Sequence, residues 1–403
     1  MSDRDIDQVI DELLAAGMSR RQLLRRGAGG ALGLGAIGAF LSACGGGNGL
    51  SGKTTTTSKV IPNGKLSSEL NFSNWPLYID VKNGKHPTLI NFQKKYGVKV
   101  NYTEEINDNT EFFGKVHQQF AAGKSGGRDI VVLTDWMAGK MIQLGYVQKL
   151  NKQAIPNVEK NLTDVLRHPQ FDPNRDYTVP WQSGQTGLIY RRDKVGDITS
   201  INEIFNPKWK GKVTMLTEMR DSVGLTMLAM GHDPSNGTLA QELAAVDLIG
   251  KNAKNGQIRR FTGNDYLKDL PRGDTYIAYG WSGDAVQLQS DNKNIRFVHP
   301  KEGFMLWTDN MMVPVGAPHA YTAEVFMNYI YQPQVEAPIE DYVNYVPPVK
   351  GTKEALLEID PSVAKNTLIF PDAKTLARAK AFKQLSPDEE NKLNTAFQKV
   401  IGA

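Results

Sequence analysis

From Leu70 onward, short apolar runs alternate with amphipathic stretches, and this alternation decides the fold class. A run of about four to six apolar residues is short for a helix but suits a buried strand, whereas apolar residues three and four apart line one helical face. Residues 70–75 read as a strand and 88–96 as a helix stopped by Gly97. Residues 98–104 are strand-like again, 110–122 form a helix entered through Asn107-Asp108-Asn109, and a buried strand over 129–133 feeds a helix over 136–144. This βαβαβα order predicts a mainly parallel sheet. After a proline-containing stretch at 172–180 the pattern restarts, with strands at 187–190, 213–216, 276–279 and 295–298. Helices are expected at 225–230, 239–249, 322–330, 352–359, 373–383 and 388–401. Two α/β units joined by more than one chain crossing leave a cleft, and ligands of open α/β sheets gather beyond the carboxyl ends of strands.

Composition removes several alternatives. Of 403 residues, 47 are basic and 43 acidic, a net charge of +4 with no basic stripe, which argues against a nucleic-acid partner. The chain has one cysteine, so a disulfide framework, a Cys-rich zinc site and an iron–sulfur cluster are all excluded. That cysteine, Cys44, closes a Gly/Ala/Leu run at 27–43, behind Ser19-Arg20-Arg21-Gln22-Leu23-Leu24 and Arg25-Arg26. Paired arginines, a weakly apolar run and small residues form an export signal of the twin-arginine type. Leu41-Ser42-Ala43-Cys44 resembles a lipobox, which implies cleavage after residue 43 and acylation of the Cys44 thiol. Residues 44–67, rich in Gly, Ser and Thr, then form a tether to the outer face of the cytoplasmic membrane.

The expected strand ends repeat one pairing, an aromatic ring beside a carboxylate. Asp135-Trp136, Trp281-Ser282-Gly283-Asp284 and Trp307-Thr308-Asp309 show it. Glu218-Met219-Arg220-Asp221 adds acids alone, while Trp75-Pro76-Leu77-Tyr78 and Tyr345-Val346-Pro347-Pro348 add rings alone. Such a set suits an alkylammonium ligand, because rings attract a cation and cover methylenes while acids neutralise its ends. Each ammonium–carboxylate pair at 4 Å contributes on the order of 4 kcal/mol before desolvation losses. Structural duties compete for the same residues. Asp284 is placed to cap a helix starting at 285, and Arg220 to pair with Asp221 or Glu218.

Several dispersed pieces occur together in one order. They are Asn74-Trp75-x-x-Tyr78, Asp129-Ile130-Val131-Val132, Lys140-Met141, Phe171-Asp172-Pro173-Asn174-x-Asp176-Tyr177, Pro207-x-Trp209-Lys210-Gly211, Pro300-Lys301-Glu302-Gly303, Trp307-x-Asp309 and Pro371-Asp372-Ala373. In these the mature chain resembles the bacterial extracellular spermidine/putrescine-binding proteins of ABC importers. The resemblance implies a type II periplasmic-binding-protein fold, two α/β lobes closing on a hinge around a central cleft. Lobe 1 is expected to hold residues 68–182 and 308–353, and lobe 2 residues 183–307 and 354–403. It further implies a monomer with no catalytic residue, cofactor or metal, which delivers a polyamine to a membrane permease.

Carried over by position, the amine site falls on Tyr78, Thr134, Trp136, Glu218, Asp221, Trp281, Trp307, Asp309 and Tyr345. Trp136, Trp281 and Trp307 are expected to wall the alkyl chain, Asp309 to hold an inner amine, and Glu218 with Asp221 an end amine. The chain departs from the family at Pro76 and Leu77, where a threonine and an acid are usual, and near Phe382, where a glutamine is usual. Asp135 or Asp284 is then the expected substitute for the lost contacts. Another organic cation or an amino-acid derivative is the alternative ligand. A tethered enzyme is the alternative activity, but the chain carries no Gly-x-Ser-x-Gly, His-Glu-x-x-His or Walker loop.

Overall fold

A computed structural model describes residues 64–402 apart from Asn107 and Asn264, so the expected signal, most of the tether and Cys44 lie outside the described residues. Ten strands form one sheet: β1 Glu69–Asn74, β2 Lys99–Glu104, β3 Ile130–Thr134, β4 Val179–Arg191, β5 Val213–Leu216, β6 Ile258–Thr262, β7 Ile277–Trp281, β8 Ile295–Val298, β9 Phe304–Met312 and β10 Ala379–Lys380. Their order is β2-β1-β3-β9-β4-β7-β5-β6, with β8 beside β4 and β10 beside β9.

The sheet is mixed, which corrects the expectation of a mainly parallel one. Strands β2, β1 and β3 are parallel in one half, and β7, β5 and β6 in the other. Between them β9 runs antiparallel to β3, and β4 antiparallel to both β9 and β7. The two central strands belong to both halves. Val179 of β4 lies beside Met311, Gly184 beside Trp307, and the rest of β4 continues to β7 and β8. The register shifts between Pro180 and Gln182, where proline has no N–H to give the ladder.

All thirteen residues of β4 are buried, yet 182–187 reads Gln-Ser-Gly-Gln-Thr-Gly and has no apolar signature. Side-chain bonds make that burial tolerable. Gln182 donates to Glu336 at 2.8 Å, Ser183 bonds Thr308 at 2.8 Å, and Gln185 donates to the Leu368 carbonyl at 2.9 Å.

The longer helices are α1 Pro87–Tyr96, α2 Asn109–Ala121, α3 Asp135–Gln143, α4 Met219–Ala229, α5 Leu239–Lys254, α6 Tyr266–Arg272, α7 Ser282–Asp291, α8 Ala320–Ile330, α9 Pro333–Val343, α10 Thr352–Ile359 and α11 Pro387–Ile401. Gly97 ends α1 in the left-handed conformation, at φ 71°. Asp108 caps α2 by accepting from the N–H groups of Thr110 and Glu111. Helix α4 begins six residues before the expected 225, because buried Arg220, Asp221 and Ser222 form its polar first turn. The helix expected over 373–383 is a single turn, Ala373–Leu376, followed by β10.

Each half has its own core. Phe72, Trp181 and Phe326 meet edge to face in the first, where Phe72 lies 5.6 Å from Trp181 and 5.3 Å from Phe326. Met215, Val223, Ile249, Tyr279 and Phe397 pack in the second. A third cluster under α2 and α3 holds Phe112, Phe120, Met137 and Met141. Phe382 packs against all three.

Ala337 of α9, Leu356 of α10 and Ala364 share one apolar cluster. Leu368, β10 and α11 belong to the second half. No helix among the described residues is long and apolar enough to cross a membrane.

Candidate ligand-binding site

Asp309 stands in the middle of β9, which corrects the expectation that it follows a strand end. It lies at the seam of the two halves, paired with Thr134 on one side and Gln182 on the other, and is 5% exposed. The Tyr78 hydroxyl donates to its Oδ2 at 2.8 Å and the Thr134 hydroxyl to its Oδ1 at 2.7 Å. Thr134 is itself held by Asn109, whose Nδ2 donates to the hydroxyl at 2.9 Å and whose Oδ1 accepts the Thr134 N–H at 3.1 Å. Burial pushes the Asp309 carboxyl up to about 7, with Asp135 and Asp221 adding to the effect and the two hydroxyls opposing it.

Asp221, 3% exposed in the first turn of α4, is the counterpart in the second half. It accepts from the Thr186 hydroxyl and, at 3.4 Å, from Trp281 Nε1. Burial also pushes this carboxyl up to about 7. Thr186 accepts in turn from Trp307 Nε1 at 3.1 Å. The Trp307 ring lies 5.5 Å from Tyr345, and Tyr345 lies 5.8 Å from Tyr78. A continuous path of bonds and ring contacts therefore runs Asp221–Thr186–Trp307–Tyr345–Tyr78–Asp309 across both halves.

Two glycines give these rings their seats. A Cβ on Gly184 would overlap the Trp307 ring, and one on Gly283 would stand 2.7 Å from Tyr345 Cζ. Both carboxylates are buried and accept from hydroxyl and indole donors, with no Lys or Arg ion pair among the described residues. Buried acids among aromatic side chains are chemistry that suits a cation.

Residues 89–371 match the family model described as bacterial extracellular solute-binding protein. The chain belongs to that family. Its members capture a solute outside the cytoplasm and are not enzymes. The putrescine-binding periplasmic protein of Escherichia coli is 30% identical over 377 residues, covering 87% of this chain and 97% of that protein. The spermidine/putrescine-binding periplasmic protein of the same organism is 26% identical over 314 residues, covering 77% and 85%. Among solved structures, a putative spermidine/putrescine ABC transporter protein from Listeria monocytogenes superimposes with a TM-score of 0.72 at 25% identity, over 83% of this chain and 99% of that one.

The remaining expected residues of this solute-binding protein have other partners. Asp135 accepts from the Thr308 N–H at 3.1 Å and from Asn310 Nδ2 at 2.9 Å. Arg175 completes that network by donating to Asn310 Oδ1 at 2.7 Å and to Thr178 at 2.9 Å. Burial raises the Asp135 carboxyl to about 6 against the pull of Arg175. Asp135 thus ties α3 to β9, and its carboxylate is committed to that role.

Asp284 is 0% exposed and accepts from Tyr266 Oη at 2.6 Å, while that oxygen accepts the Trp281 N–H at 3.1 Å. It is the third residue of α7 and does not cap it, because Trp281 holds the cap position. Glu218 occupies the cap position of α4. Burial, Asp108 and Asp221 raise its carboxyl well above the usual range, and Arg220 opposes them.

Arg220 pairs with neither Asp221 nor Glu218, which corrects the expected ion pair. Its Nη1 donates to the Lys383 carbonyl at 2.9 Å, its Nη2 is 3.5 Å from Glu390, and its guanidinium sits 4.8 Å over the Trp136 ring. Trp136 is 4% exposed. At the divergent motif, Leu77 has φ 58° and its N–H donates to Glu104 Oε1 at 2.8 Å. Trp75 Nε1 donates to the Val132 carbonyl at 3.0 Å. Sequence reading missed Thr186, Asn109 and Asp108. Thr186 lies in a polar run without a strand signature, and Asn109 looks like an ordinary helix start.

Proposed function

We propose that this protein binds a polyamine outside the cytoplasmic membrane and delivers it to an ABC permease. One observation carries the reading: Asp309 and Asp221, each under one-tenth exposed, face aromatic side chains with no cationic partner among the described residues. A ligand ammonium supplies the missing charge, and Trp281, Trp307, Tyr345 and Tyr78 cover its methylenes. The relatives named for spermidine and putrescine support the same ligand class.

Because the path from Asp221 to Asp309 draws on both halves, a cation held between them favours their approach over their separation. The divergence at Pro76, Leu77 and Phe382 leaves this central pair intact. Calorimetry of residues 44–403 with putrescine, cadaverine, spermidine and spermine tests the reading. Saturable heat with at least one amine supports it, and no heat with any of them ends it.

The second part of the proposal is a membrane anchor. Twin arginines, a weakly apolar run and the Leu-Ser-Ala-Cys sequence stand in the order that export and acylation require. One acyl chain binds membranes only marginally, so stable anchoring at Cys44 requires more than one. Fractionation of cells that express Cys44→Ser checks this: the variant is expected in the soluble extracytoplasmic fraction, and retention with the membranes would contradict the anchor.

A further inference from the structure

We infer that the lysine-rich flank of α1 is a membrane-contact surface, which lays the first half of the molecule on anionic phospholipid headgroups. The inference rests on the anchor reading and goes beyond it in naming a second, electrostatic contact and the residues that make it. Residues 81–100 hold Lys82, Lys85, Lys94, Lys95 and Lys99 and no acid, a local charge of +5 in a chain whose total is +4. Along the sequence these lysines are too dispersed to make a basic stripe, and the fold collects them. Lys82 and Lys85 flank an Asn83-Gly84 turn, at φ 53° and 68°, and bond each other's backbone at 2.8 and 3.1 Å. Together with Lys94 of α1 they line one surface cavity. Lys95 lies over the Tyr96 and Tyr329 rings at 5.3 and 5.6 Å. Lys99 follows at the start of β2, where its N–H donates to the Ser68 carbonyl at 2.9 Å.

No ion pair answers this crowding. All five lysines are exposed, and none pairs with a carboxylate among the described residues. Glu69, opposite Lys99 in the register, accepts instead from Asn101 Nδ2 at 3.1 Å. Like charges gathered without acids repel one another, and an anionic surface relieves that repulsion. The place where the chain enters the fold says which surface. The Ser67 N–H donates to the Thr322 hydroxyl of α8 at 2.9 Å and Ser68 holds Lys99, so the tether joins the fold beside this flank. Nineteen residues rich in Gly, Ser and Thr separate Cys44 from Gly64, and a segment of that composition spans about 25 Å on average. An acylated Cys44 therefore keeps the lysines within reach of headgroups, where each adds about fivefold to binding. The contact is screened beyond about 10 Å at physiological salt, so it orients an anchored molecule and does not retain an unanchored one.

The test is sedimentation of unacylated residues 44–403 with vesicles of phosphatidylcholine alone, or of phosphatidylcholine with an equal part of phosphatidylglycerol. At about 0.05 M salt the wild-type protein is expected to bind the anionic vesicles at least about tenfold more tightly than the neutral ones, and to be released at about 0.15 M. The triple variant Lys85→Glu, Lys94→Glu, Lys99→Glu is expected to lose at least about tenfold of that binding while its amine affinity stays within about twofold of wild type. A control with the same change of charge on exposed lysines of the second half, Lys210→Glu, Lys251→Glu, Lys254→Glu, is expected to lose less than about threefold. Should the α1 variant fail to fold, Lys94→Gln, with an expected loss of about threefold to fivefold, decides in its place. Equal binding to both vesicle types, a control that loses as much as the α1 variant, or an α1 variant that binds like wild type overturns the inference. No binding to anionic vesicles at low salt also overturns it, and points to an acidic protein surface as the partner. Each of these failures leaves the lipid anchor standing, whereas membrane retention of Cys44→Ser in cells removes the anchor reading itself.

Discussion

Asp309→Asn separates what the site does for the ligand from what it costs the fold. The free Asp carboxyl titrates at 3.8, and burial moves it to about 7 here, so between these values the folded protein holds a proton that the unfolded chain has lost. Stability from this group is therefore fully present below 3.8 and is lost as pH rises through 7. At about 1.4 kcal/mol per pH unit, the ionised carboxylate at pH 8 destabilises the ligand-free protein by up to roughly 4 kcal/mol. An amide of the same shape escapes that penalty but must accommodate two hydroxyl donors, Tyr78 and Thr134, of which it can accept only at its oxygen. A net gain of about 2 kcal/mol is expected at pH 8, shrinking towards pH 4. Binding moves the other way, because removing a charge opposite an ammonium costs about 3 kcal/mol after desolvation, on the order of a hundredfold in affinity. Urea denaturation across pH 4 to 8 and calorimetry at pH 8 read both effects. A variant less stable than wild type at pH 8, or one that binds within about threefold of it, refutes the argument.

Other outcomes follow from neighbouring features. Wild-type affinity for an amine is expected to fall as pH drops below about 7, because Asp309 and Asp221 must lose their protons to meet an ammonium; proton release, read as buffer-dependent calorimetric heat, checks this. Gly283→Ala puts a Cβ against the Tyr345 ring and should cost about 1–3 kcal/mol in denaturation midpoint together with at least about tenfold in affinity. Asp135→Ala leaves the Thr308 N–H and Asn310 Nδ2 short of an acceptor and removes the charge that faces Arg175, and should destabilise by about 2–4 kcal/mol, whereas an exposed ligand contact would cost almost nothing in urea. Asn109→Ala frees the Thr134 hydroxyl to turn from Asp309 and leaves the buried Thr134 N–H without its acceptor, so it should weaken binding about threefold to tenfold by calorimetry and cost about 1–3 kcal/mol in urea.

The outer parts of the sheet were legible because their residues follow simple rules. Strand β3 is an apolar run, β1 alternates Leu70 and Phe72 with polar residues, α1 ends at Gly97, and α2 starts at an Asx cap. The centre was not legible, for one physical reason. Its buried residues are polar and satisfied by distant partners, so only 187–190 of β4 read as a strand, and the polar part before it is explained by Gln182 meeting Glu336 and Thr186 meeting Asp221. The same cause hid the start of α4, where Arg220 and Asp221 take long-range partners.

At the site, the residue types were readable and their partners were not. Ring-and-acid recurrence pointed to Asp309, Trp281 and Trp307, the acids at 218–221 pointed to Asp221, and these four converge with Tyr78 and Tyr345. Nothing in the order of residues foretold that Asp135 holds the Thr308 N–H and Asn310, or that Asp284 holds the Tyr266 hydroxyl.

The position of β9 between β3 and β4 has a consequence for how the molecule comes into being. Strand β3 is complete at residue 134, but its neighbour in the sheet begins at Phe304. The first core likewise waits for Phe326, almost two hundred residues after β3. Neither half of this chain can finish folding on the ribosome while the other is being made, because the strands that complete the first are synthesised after most of the second. The polypeptide is thus committed to a late, global step of assembly that draws both halves together at once, and the seam formed in that last step is the one on which Asp309 sits.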